Sequence, residues 1–69
     1  MKENVLNKIK EYRVNAEITQ EELAKAVSVS RQSINSIERG HYIPSLPLAM
    51  KFAAYFNCSI ENLFTLEEK

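Results

Sequence analysis

Apolar residues recur along this chain at helical spacings. Val5, Ile9, Tyr12 and Ala16 stand four, three and four residues apart, with Leu6 and Arg13 beside them. That spacing lines one face of a helix and predicts a first helix over this stretch. The quartet "TQEE" at 19–22 is a capping box, in which Thr19 caps the backbone and Glu22 reaches back. Leu23, Ala24 and Val27 then carry the buried face of a second, short helix. Ser30 caps a third, with Ile34 and Ile37 facing inward and Gly40 as its stop. "YIP" is an extended connection, because Pro44 pushes Ile43 out of the helical region. Ser45 caps a fourth helix that tolerates Pro47 in its first turn and carries Leu48, Ala49, Phe52, Ala53 and Phe56. Ser59 opens a fifth with Ile60, Leu63 and Phe64, and residues 65–69, "TLEEK", read as a polar tail. One glycine and two prolines leave little material for hairpins. The expected fold is all-α, a compact arrangement of five short helices around one core.

Length changes this picture little. A chain of 69 residues reads as one domain, 1–69, near the lower limit for a fold that rests on a single core. Cys58 is the sole cysteine, so no intrachain disulfide forms, and no Cys/His cluster has zinc spacing. No metal and no cofactor are expected, and Cys58 reads as a packing residue before a redox switch. No apolar run approaches the ~20 residues of a membrane span. The charged start "MKENVLNKIKEY" lacks the apolar stretch of a secretory signal. The expectation is a cytoplasmic protein with no membrane partner, a compartment that suits a free thiol. Nine basic residues balance nine acidic ones. Nucleic-acid binders are usually basic, yet phosphate binding needs only a locally positive face.

The second and third helices, joined by the turn "SVS", span about residues 19–39. Their proportions are those of a helix-turn-helix, whose second helix can lie in a DNA major groove. Ser28 occupies the first turn position, where a left-handed backbone favours glycine. With Ile34 and Ile37 inward, the outward face of the third helix must be Arg31, Gln32, Ser33, Asn35 and Ser36. The Arg31 fork fits guanine O6 and N7, and Gln32 fits adenine N6 and N7. Ser33 and Ser36 are short enough for close approach to base edges. Around this face stand candidate phosphate contacts: Thr19 and Gln20 with the N–H groups opening the second helix, and Ser30 opening the third. Arg39, His41 and Tyr42, just past the third helix, could hold the backbone on the other side. His41 has no ligand partners near it in sequence. No His or Asp arrangement supports a nucleophile, so no catalytic residue and no enzyme are expected.

The segment "TQEELAKAVSVSRQSINSIERGHYIPSLPLAMKFAAYFNCSIENLF" resembles the Cro/cI-type, lambda-repressor-like helix-turn-helix family of regulators, the XRE group. The resemblance covers about residues 5–65, and its "VSRQ", "IERG" and "PSL" elements stand in the family's order. The chain is most similar to short stand-alone members without a separate sensor domain. What the resemblance implies is a five-helix fold and a homodimer on a pseudo-palindromic double-stranded DNA operator, acting as a repressor. It implies Gln20, Arg31, Gln32, Ser36 and Arg39 at DNA-contacting positions, and an ion pair between Arg13 and Glu38 across the first and third helices. No small-molecule ligand is evident. A two-fold assembly needs an isologous contact, and apolar surplus gathers where the fourth and fifth helices meet. Asn57, Ile60, Phe64 and Leu66 are therefore the expected dimer contacts. Two alternatives remain: an antitoxin-type autorepressor, against which the short tail argues, and a protein-interaction module that has lost DNA binding, which the neutral charge favours.

Overall fold

The computed structural model describes residues 3–68; Met1, Lys2 and Lys69, at the ends of the expected domain and tail, lie outside the described residues. The elements run β1 (Glu3–Asn7), α1 (Ile9–Asn15), α2 (Gln20–Val27), α3 (Arg31–Glu38), α4 (Leu46–Phe56), α5 (Ile60–Leu63) and β2 (Phe64–Glu68).

Four of the five helices start where a hydroxyl can satisfy an orphan N–H group. Thr19 Oγ1 accepts from the Glu22 N–H at 3.0 Å, and Glu22 Oε1 accepts from the Thr19 N–H at 2.7 Å. The hydroxyls of Ser30, Ser45 and Ser59 accept from the N–H groups of Ser33, Leu48 and Asn62. Each such cap stabilises its helix by about 1 kcal/mol. Ser28 ends α2 in the left-handed region at φ 64°, Asn57 ends α4 at φ 56°, and Gly40 follows α3 at φ 80°.

The all-α expectation is corrected at the two ends of the described chain. β1 and β2 pair antiparallel, with Val5 opposite Leu66, Leu6 opposite Thr65 and Asn7 opposite Phe64. Asn7 explains why α1 starts late. Its Oδ1 accepts from the Ile9 N–H at 3.1 Å, while its Nδ2 donates to the Ile37 carbonyl at 2.9 Å. The side chain thus opens α1 at Ile9 and moors β1 to the last turn of α3. The Lys8 N–H donates to the Leu63 carbonyl at 2.9 Å and carries the pairing on to the end of α5. Val5 belongs to a strand instead of the first helix, and Ala16 is exposed at that helix's end. Phe64 leaves the helix at φ −128°, ψ 139°, so Phe64 and most of the expected polar tail form β2.

Every helix contributes to one core. Ile9, Leu23, Val27, Ile34, Ile37, Phe52 and Leu63 are all buried to within 1% of complete, each worth about 1.5–3 kcal/mol in transfer free energy. Tyr12 and Phe56 close one side, their ring centroids 5.5 Å apart.

The strain at Ser28 gives a test. Ser28→Gly removes the Cβ that disfavours φ 64° and should stabilise the fold by about 1 kcal/mol in urea unfolding. An unchanged or lower midpoint would show that the turn carries no such strain.

Candidate nucleic-acid interface

The turn between α2 and α3 is built by three residues with separate tasks. Ser28 turns the chain left-handed, Val29 packs partly against the core, and Ser30 caps α3. The Val29 N–H donates to the Ala24 carbonyl at 2.9 Å and locks the turn onto α2. Ile34 and Ile37, fully buried, fix the rotation of α3 about its axis. The opposite face is polar: Arg31 and Gln32 are exposed, and Ser33, Asn35 and Ser36 half-buried. Two open grooves flank it. One, of about 300 Å³, is lined by Ser30, Gln32, Ser33, Ser36, His41 and Tyr42; the other is lined by Arg31, Gln32 and Asn35. The fold therefore gathers the five expected base-reading residues and brings His41 and Tyr42 beside Ser33 and Ser36.

The expected phosphate contacts sit less uniformly. Arg39, His41 and Tyr42 are exposed beyond α3. Ser30 is occupied as a cap and lies 3.0 Å from the Ser33 hydroxyl. The Thr19 N–H is taken by Glu22. Gln20 turns inward: its Nε2 donates to Glu38 Oε1 at 3.1 Å and to Asn35 Oδ1 at 3.2 Å. Both hydrogens of that amide are used within the chain.

Gln20 thereby joins a network centred on Glu38. Arg13 Nε donates to Glu38 Oε2 at 2.7 Å, and Arg13 Nη2 to Oε1 at 3.3 Å. Arg13 Nη1 donates to the Ile18 carbonyl at 2.9 Å. The Arg13 and Glu38 side chains are only 13% and 3% exposed. Sequence reasoning missed the Gln20–Asn35 link, which no periodicity signals, since the two residues meet only where α2 and α3 cross.

At the other end of the molecule, Asn57 and Leu66 are exposed, whereas Ile60 and Phe64 pack partly against the core. Two of the four expected dimer contacts thus already serve the monomer. Ile43, Leu46 and Met50 are 57%, 65% and 55% exposed, and Leu46 and Met50 stand about one turn apart on α4. Cys58 is a half-buried free thiol against the core. Among the described residues no His/Cys/Asp/Glu group could hold a metal ion, and no helix is long and apolar enough to cross a membrane.

A family model described as "Helix-turn-helix" matches residues 9–63, most of the chain and all five helices. The chain belongs to the Cro/cI-type helix-turn-helix family. It is similar to an uncharacterised HTH-type transcriptional regulator of Methanocaldococcus jannaschii, with 52% identity over 90% of this chain and 94% of that one. Among solved structures it resembles the SOS-response transcriptional repressor LexA from Eubacterium rectale, at 33% identity and a TM-score of 0.76, covering 80% of this chain but 58% of that one. It also resembles the restriction-modification controller protein C.AhdI from Aeromonas hydrophila, at 25% identity and a TM-score of 0.74, covering 80% and 83% of the two chains. This protein is a transcriptional regulator with a helix-turn-helix DNA-binding domain, and the α2–turn–α3 pair lies within the matched residues.

The Glu38 network sets the stability of that pair. Glu38→Ala leaves the Arg13 guanidinium buried without its partner and should destabilise the protein by about 3–5 kcal/mol. The double variant Arg13→Met/Glu38→Leu should recover most of that loss. Equal losses for the single and double variants in denaturant titrations would sink this account.

Proposed function

We propose that this regulator is a repressor that binds a pseudo-palindromic operator as a homodimer, with α3 of each subunit in the major groove. The observation that carries this reading is the two-sidedness of α3. Ile34 and Ile37 are sealed in the core while Arg31, Gln32, Ser33, Asn35 and Ser36 share the open face. Base edges would be read by these five residues. Arg31 supplies a two-pronged donor for guanine, and Gln32 an amide for adenine. Arg39, His41 and Tyr42 would hold the sugar-phosphate backbone, together with the backbone N–H groups that open α2. The two-fold contact would involve the α4–α5–β2 end through Asn57 and Leu66, with Ile60 and Phe64 behind them. Two reading helices about 34–36 Å apart would meet half-sites one DNA turn apart. Repression would follow from occupying a promoter. The similarity to proteins named as a transcriptional repressor and a controller protein supports the regulatory part of this reading.

The test is selection of binding sites from random duplex DNA at about physiological salt. A pseudo-palindrome with half-sites one turn apart is expected, with affinity falling steeply as salt rises. Absence of enrichment from folded protein would favour an interaction module. Arg31→Ala should cost about 1–3 kcal/mol on the selected operator and relax one base pair. A loss of equal size on every sequence would make Arg31 a phosphate contact instead.

A further inference from the structure

The hydrogen bonds around Gln20 can run in one direction only. The ionised Glu38 carboxylate accepts and never donates, so the Gln20 atom 3.1 Å from its Oε1 must be the amide nitrogen. That nitrogen also lies 3.2 Å from an atom of the Asn35 amide, which must then be the oxygen, Oδ1. A flipped Asn35 would set donor against donor. Its Nδ2 therefore points away from Gln20 and has no acceptor among the described residues, while Asn35 itself lines the groove with Arg31 and Gln32.

The geometry points to Asn35 as a specificity-determining residue of the DNA contact, held by Gln20 with its donor end toward the groove, so that it favours base edges offering an acceptor. This rests on the DNA-reading function proposed above. An unrestrained asparagine can turn either end of its amide to a base edge, or both ends to adenine N6 and N7. With Oδ1 held against Gln20, the end of the Asn35 amide left for the groove is Nδ2. Guanine O6 and N7, adenine N7 or thymine O4 can receive that bond, whereas cytosine presents its N4 donor and meets donor with donor. Gln20 is a positioning residue: it passes the fixed polarity of the Arg13–Glu38 pair on to the groove without touching a base.

The experiment compares sites selected from random duplexes by the wild-type protein, Gln20→Met, Asn35→Asp and Asn35→Ala, with folding checked by thermal unfolding. The wild type should prefer an acceptor-bearing base over cytosine by about tenfold at one position of each half-site, the worth of one such hydrogen bond. Gln20→Met, similar in length, should flatten that one preference and leave the others. Asn35→Asp still accepts from Gln20 but presents an oxygen to the groove, so the same position should turn toward cytosine. It also carries the test if Gln20→Met does not fold, because it alters a half-exposed residue and no core packing. Unchanged preferences in Gln20→Met and Asn35→Asp, on otherwise normal half-sites, would overturn the inference. So would a loss on Asn35→Ala that is equal on all sequences, which would make Asn35 a phosphate contact. A wild type that selects no site at all would instead remove the DNA-reading function itself.

Discussion

A carboxylate withdrawn from water must be matched by donors, and in this protein that constraint sits on Glu38. Its two oxygens receive two bonds from Arg13 and one from Gln20. Those donors come from α1 and α2, while Glu38 closes α3, so one buried charge cross-links three helices. Arg13 also reaches the Ile18 carbonyl and so holds the connection between α1 and α2. Apolar packing of Ile34 and Ile37 sets how α3 turns on its axis, but grease alone would let the helix slide. The ion pair is directional and resists sliding. Such pairs add little net stability relative to apolar substitutes; here the return is a defined placement of the polar face.

Much of this was legible in the sequence because the chain follows local rules closely. Thr19, Ser30, Ser45 and Ser59 each announce a helix start through short-range chemistry, and each caps one. Ile34 and Ile37, three residues apart, define the inside of α3 and thereby its outside. The two strands were not legible. Val5 and Ile9 stand at a helical spacing although one belongs to a strand and the other to a helix, and five residues are too few for alternation to show. The decisive residue, Asn7, acts through one bond to its neighbour Ile9 and another to Ile37, and only the first is local. Gln20 was only partly legible for the same reason. Its position at the start of α2 suggested a phosphate contact, but its amide turns to partners 15 and 18 residues away.

Charge in this regulator is arranged locally. Basic and acidic residues cancel over the chain, so attraction to a polyanion depends on where the cations stand and not on the net charge. The cations of α3 and its end, Arg31 and Arg39, are exposed, whereas Arg13 is spent internally. Glu21 and Glu22 lie in the first turn of α2, where they complement the helix dipole.

The pairing of β1 with β2 has a consequence for how the protein is made. The partners lie about 60 residues apart in the chain. On a ribosome adding about 5–20 residues per second, β1 therefore waits roughly 3–12 s for its complement to be synthesised. The helical core can gather meanwhile, because Lys8 and Asn7 anchor the early segment to Leu63 and Ile37 only once those residues exist. Closure of the sheet thus follows the synthesis of β2, and until then the backbone edge of β1 has no partner strand.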